Sequence, residues 1–197
     1  MSVSIEPVVY VDAPDGTPRS ASLTSQLFAS RIIALDAEVT PASCSRIIQE
    51  LLELEHEDPQ APITLLVSSP GGDVYAGLGL ISVMQSVSCP VTTVACGLVA
   101  SMATVIAACG DHRMAYENSY IMMHQVMAGM GVSQQTDMRI MAEQTESIRA
   151  KLDGILAEHS NMDVAEAHER TERDCWLTAQ EALDMGLIDE VIPRARK

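Results

Sequence analysis

The stretch Gly97-Leu98-Val99-Ala100-Ser101-Met102-Ala103 decides how this chain is read. The run before it, Val91-Thr92-Thr93-Val94-Ala95-Cys96, has the continuous apolar character of a buried strand. The run after it, Met102-Ala103-Thr104-Val105-Ile106-Ala107-Ala108, is small and aliphatic and reads as a helix. A strand-to-helix turn lifts one side chain clear of the backbone, here Ser101. The helix N-terminus beside it offers free N–H groups and the positive end of a dipole, which favour developing negative charge. Taken alone, Ser101 serves equally well as an N-cap, because serine is a preferred capping residue.

A nucleophilic serine needs a base, and the base needs an orienting carboxylate. His124 ends a second strand-like run, Tyr120-Ile121-Met122-Met123, and Asp174 closes Thr171-Glu172-Arg173-Asp174. The order serine, histidine, aspartate differs from that of the α/β-hydrolases and of the chymotrypsin and subtilisin types. Each residue also has a plainer reading. His124 fits a half-buried strand-end histidine, and Asp174 a solvated charge in an acidic helix. A fourth element shifts the balance. Ser69-Pro70-Gly71-Gly72 follows the strand-like Ile63-Thr64-Leu65-Leu66-Val67-Ser68 and precedes a helix beginning near Asp73. Paired glycines admit positive φ and close backbone approach, and their N–H groups can form the donor nest that an oxyanion hole requires.

The remainder alternates strands and helices in a single domain. Met1 to Ser20 reads as a mobile arm or hairpin around Asp12-Ala13-Pro14-Asp15-Gly16-Thr17-Pro18. Arg31-Ile32-Ile33-Ala34-Leu35 reads as a short strand. Thr40-Pro41 caps a helix whose apolar face is expected to hold Ile47, Ile48, Leu51 and Leu52, with Asp58-Pro59 ending it. A long helix is expected from Thr136-Asp137 to about His159, with an apolar stripe of Met138, Met141, Ile148, Leu152, Ile155 and Leu156. Thr178-Ala179-Gln180-Glu181 is a capping box, and Gly186 is placed to end the helix that it opens.

The 197 residues carry a net charge of −15, which argues against nucleic acid or an anionic membrane surface as partner. Ser69-Pro70-Gly71-Gly72 lacks the following Gly-Lys-Ser/Thr of a P-loop, so no bound nucleotide is expected. The five cysteines (Cys44, Cys89, Cys96, Cys109, Cys175) are scattered without a C-x-x-C pair, so neither a disulfide framework nor a metal site is expected. Most sit in apolar runs as small hydrophobes. The opening residues have no signal-peptide pattern and no run is long enough to span a bilayer, so the expected location is cytoplasmic.

From about Arg19 to Ile192 the sequence closely resembles the Clp protease proteolytic subunits. The likeness rests on Ser69-Pro70-Gly71-Gly72, Ala100-Ser101-Met102, His124-Gln125, Thr171-Glu172-Arg173-Asp174, and Glu181-Ala182-Leu183 through Gly186-Leu187-Ile188-Asp189. It implies an α/β, crotonase-like spiral of ββα units with a protruding handle strand and helix at about 125–159. It implies an N-terminal arm or axial loop at 1–20, followed by one peptidase domain over 21–197. It also implies a serine endopeptidase with Ser101 as nucleophile, His124 as base and acid, and Asp174 as orienting carboxylate. The Gly72 and Met102 N–H groups would form the oxyanion hole. Gly71, Gln125, Val126 and Met127 would align peptide substrate. Arg173 and Asp137 would make an oligomer contact.

The partners so implied are further copies of the chain, as stacked heptameric rings enclosing peptide or unfolded protein. A separate AAA+ unfoldase would use ATP, and the chain itself would use no cofactor. Thr64, Leu66 and Ser86 stand where relatives usually carry aromatic residues that receive loops of that ATPase, so the docking pockets are atypical. A second isoform is the other partner of this kind. Val126 stands where proline is usual after His124-Gln125, and the segment to Asp137 is one residue longer. The alternative reading is a non-catalytic or activator-dependent subunit of a mixed ring. The shared fold also raises a CoA-dependent hydratase, which the Ser, His and Asp set opposes.

Overall fold

The computed structural model describes residues 8–12, 17–129 and 131–195. The parts of the expected arm at residues 1–7 and 13–16 lie outside them. The arm's described remainder is a hairpin, β1 (Val8–Asp12) paired antiparallel with β2 (Pro18–Ser22). Helix α1 (Leu23–Ala29) then leads to β3 (Ile32–Leu35).

Thr40 caps α2 (Pro41–Glu57) as expected, in a reciprocal box with Ser43. Its buried face is Cys44, Ile47, Leu51 and Leu54, a spacing of three and four. The expected face was one residue out of phase at its end. Leu52 is half exposed, because Leu54 completes the stripe that the sheet covers. The chain continues through β4 (Ile63–Ser69), α3 (Val74–Met84, N-capped by Asp73), β5 (Val91–Ala100), α4 (Met102–Ala108), β6 (His112–Tyr116) and β7 (Tyr120–Met123). Then come α5 (Gln135–Glu158), α6 (Val164–Arg170), β8 (Cys175–Thr178), α7 (Ala179–Asp184) and β9 (Glu190–Ile192). The expected Thr178–Glu181 capping box opens α7. Gly186 N–H to Leu183 O and Leu187 N–H to Ala182 O close it as a Schellman motif.

The main sheet runs β3-β4-β5-β6-β9 in parallel, with β7 parallel to β5 and antiparallel to β8. Strand β5 positions everything that follows. Its first part pairs with β6, and its last part, Leu98 to Ala100, pairs with β7 instead. The change of neighbour brings the ends of β4, β5, β7 and β8 together. Leu35, Ile47, Leu51, Leu54, Ile63 and Leu65 fill the space between α2 and the sheet with no exposed surface. Each such side chain contributes about 1.5–3 kcal/mol relative to an exposed one.

Helix α4 is buried along nearly its whole length, and Met102 packs so closely on α3 that a methyl group at Gly77 would lie 2.5 Å from its Cγ. The base of the Ser101 turn therefore cannot shift without repacking the core. No helix among the described residues is long and apolar enough to cross a membrane.

Candidate active site

Strand register assembles the site. Ala100 is paired with Met122, and Met123 with Cys175. One step further along these ladders, Ser101 sits beside the end of β7, and His124 faces Asp174 across β7 and β8. Ser69 pairs with Val99, which carries Gly71 to the level of Ser101.

Ser101 has φ 57° and ψ −127°, a left-handed conformation for a residue with a Cβ. Such backbone costs on the order of 1–3 kcal/mol and persists only where the surroundings over-determine it. Here they do. Ser101 N–H donates to Met122 O at 2.8 Å, and Thr104 N–H donates to Ser101 O at 3.0 Å. The Thr104 hydroxyl lies 2.7 Å from Met122 O and 3.0 Å from Val99 O, locking α4 to both strands. Ser101 stands at the N-cap position but makes no side-chain cap bond. Its Oγ instead lies 2.8 Å from His124 Nε2. That geometry discards the capping reading of the serine.

The other two members are held less alike. The His124 side chain is largely buried, whereas Asp174 is 62% exposed and its Oδ1 lies 3.6 Å from His124 Nδ1. That distance is a charge contact rather than a hydrogen bond. Asp174 is also not in a helix. It lies between the end of α6 and the start of β8, where the antiparallel pairing with β7 begins.

The glycine turn lies against the serine. Gly71 has φ 90° and Gly72 φ 145°. A methyl group at Gly71 would meet Ala100 O at 2.6 Å, Ser101 Cβ at 2.7 Å and Met102 N at 2.9 Å. The turn is fixed on its other side by Val39, whose N–H donates to Gly71 O at 2.8 Å and whose carbonyl accepts from Asp73 N–H at 2.7 Å. Met102 N–H is at the first position of α4, with no intrahelical acceptor available. Among the described residues neither it nor Gly72 N–H donates to another protein group. Two free donors therefore flank the serine.

A pocket of about 310 Å³ joins these groups, lined by Gly71, Gly72, Ser101, Met102 and His124 and continuing past Gln125, Val126 and Met127. The expected handle strand is not formed. The described residues from 124 to 134 have no regular structure. Met130, part of that expected segment, lies outside the described residues. The expected stripe of α5 divides: Leu152, Ile155 and Leu156 pack on the core and Ile148 is half-buried, whereas Met138 and Met141 are exposed, as is Ile140 beside them. Arg173 points into solvent, donating to Glu172 O at 2.9 Å, and makes no contact with Asp137 among the described residues of the chain.

Sequence reasoning missed Arg149, Asp153 and Thr171, which line the same pocket. Arg149 and Asp153 sit four residues apart among Ile148, Leu152, Ile155 and Leu156, so charges interrupting an apolar stripe were the available signal. None of the five cysteines lines this pocket. Burial pushes the Cys109 thiol up to about 12 and raises that of Cys175, which is beside Asp174. Cys44 and Cys89 are buried as expected, but Cys96 is exposed, and all five thiols are free.

A family model described as Clp protease matches residues 15–195. Several curated relatives cover nearly the whole chain. The "ATP-dependent Clp protease proteolytic subunit" of Leuconostoc citreum is 41% identical over 89% of this chain and 90% of its own length. The protein of the same description from Streptococcus suis is 39% identical over 96% of this chain and 98% of its own length. That from Lactococcus lactis subsp. lactis is 40% identical over 88% of this chain and 89% of its own.

Proposed function

The chain belongs to the Clp protease family, and on that premise we propose that it is the proteolytic subunit of an ATP-dependent Clp protease, with Ser101, His124 and Asp174 as its catalytic residues. The observation that carries the assignment is the 2.8 Å contact between Ser101 Oγ and His124 Nε2 at a strained strand-to-helix turn. His124 Nε2 takes the hydroxyl proton as Ser101 Oγ attacks the scissile carbonyl. Asp174 holds the proton on Nδ1, so that Nε2 presents its lone pair, and it stabilises the imidazolium that forms. Gly72 and Met102 N–H groups donate hydrogen bonds to the negative charge that develops on the carbonyl oxygen. His124 then protonates the leaving amine, and water activated by the same ring releases the acyl group from Ser101.

Peptide enters along Gln125, Val126 and Met127 in this reading. The unpaired backbone of that segment supports it, since an extended peptide can supply the missing strand. The exposed apolar half of α5, with Met138, Ile140 and Met141, supports burial against other copies of the chain in stacked heptameric rings. Arg173 and Asp137 then meet between copies, and ATP is used by a separate unfoldase. No cofactor takes part in the steps above.

Fluorophosphonate labelling of wild type and Ser101→Ala tests the assignment. Wild type is expected to label, the variant not to, and kcat on a peptide substrate to fall by about 10⁴–10⁶. A fall of less than tenfold removes Ser101 from the nucleophile role.

A further inference from the structure

Asp174 accepts no hydrogen bond from the protein among the described residues, so its place beside His124 is set by what holds the residues around it. On one side Cys175 is fixed by pairing with Met123. On the other side Thr171 and Glu172 are bonded back to α6, through Thr171 N–H and Oγ1 to Ala167 O and Glu172 N–H to Glu169 O, and the ties that reach beyond α6 run to two charges of α5. Asp153, with only 4% of its side chain exposed, lies 3.1 Å from the Thr171 hydroxyl and 2.8 Å from His168 Nδ1. Arg149 donates to Glu172 Oε2 at 2.7 Å, to His168 O at 3.3 Å and to Gln125 Oε1 at 3.2 Å. Gln125 Nε2 in turn donates to Glu172 O at 2.9 Å, closing a ring of three residues. Arg149 Nε lies 3.9 Å from Asp153 Oδ2, which pairs the two charges.

We propose that Arg149 and Asp153 are positioning residues that set the separation of Asp174 from His124. The role deepens the triad reading given above and rests on it. Gln125 immediately follows the base and Glu172 lies two residues before the carboxylate, so one guanidinium spans both halves of the His–Asp pair. The two acceptors are served by different nitrogens of the planar guanidinium, Gln125 by Nη1 and Glu172 by Nη2, a spread of donors that a single ammonium nitrogen matches less well. The Glu172 carboxyl is held below its usual range by that fork. Thr171 adds the second anchor, since its buried hydroxyl ties the end of α6 to α5 through Asp153. Neither charge needs to touch substrate. A displacement of about 1 Å at a reacting group is enough to cost roughly 10²-fold in rate.

The test measures the rate of Ser101 fluorophosphonate labelling, with peptide kcat and KM, in the full chain carrying Arg149→Met, Arg149→Lys or Thr171→Val. Arg149→Met is expected to lower labelling and kcat by about 10–100-fold while KM stays within about twofold. Arg149→Lys should recover only part of that loss, and Thr171→Val should show a smaller loss with the same split. Should Arg149→Met fail to fold, Arg149→Lys and Thr171→Val carry the test. Folded variants that label within twofold of wild type, or that change KM alone, overturn the positioning role. An unlabelled wild type overturns the Ser101 assignment and this role with it. A labelled wild type with equally labelled variants overturns the positioning role alone.

Discussion

Two aspartates near the ends of the same sheet are held in opposite ways. Asp189, just before β9, accepts from Arg113 N–H at 2.8 Å, from its Nε at 3.0 Å and from its Nη2 at 2.5 Å, while its own N–H donates to Arg113 O at 2.7 Å. Among the described residues the Asp174 carboxylate, just before β8, meets only His124 Nδ1, at 3.6 Å. The first is a clamp that joins β6 to the C-terminal strand. The second is free to answer to its neighbours, which would suit the proposed mechanism, in which its partner gains and loses a proton in each turnover. A carboxylate saturated with donors stabilises the fold, whereas one left open can follow a moving charge.

Exchanging the two carboxylates for amides separates the roles most sharply. Asp174→Asn is expected to lower kcat by about 10²–10⁴ and to leave the unfolding free energy in urea within about 0.5 kcal/mol of wild type. A variant with near-wild-type kcat would show that Asp174 does not orient His124. Arg173→Glu addresses whether assembly bears on the open aspartate. It should shift particles toward single rings and lower turnover, and sedimentation with activity both unchanged would remove Arg173 from the ring contact.

Asp189→Asn is the smallest of the three, expected to cost about 1 kcal/mol at neutral pH once solvent screening is discounted, with kcat retained. Its pH dependence has a definite sign. Hydrogen bonds from Arg113 hold the Asp189 carboxyl below the usual range, so the stabilisation is complete above the unfolded value near pH 4 and is lost as pH falls through the folded one. Urea midpoints at pH 7 and pH 3 should therefore converge for wild type and Asp189→Asn as the solution is acidified. A constant gap would mean that the clamp does not depend on charge.

Legibility in the sequence followed the range of the interactions. Thr40 and Thr178 were readable as caps because each bonds within one turn of itself. Ser101, His124 and Gly72 were readable because strand ends and paired glycines leave local signatures. The phase of α2 was readable only in part, since Leu52 and Leu54 are equally apolar and the sheet alone chose between them. The Arg149–Gln125–Glu172 ring was not readable. It joins residues 23, 24 and 47 positions apart, and only packing of α5 on the loop before β8 brings them within reach.

By itself the sequence determined the strand-like runs of β3, β4, β5 and β7, the capped starts of α2 and α7, and which serine stands at a strand-to-helix turn. Those outcomes come from backbone preference, capping and apolar periodicity, all settled within a few residues. Tertiary structure alone decided that His124 meets Ser101 at bonding distance while Asp174 stands off and exposed. That difference is set by the register of β5 on β7 and of β7 on β8, whose hydrogen bonds join residues far apart in the chain, and by the α5 charges that hold the loop between them.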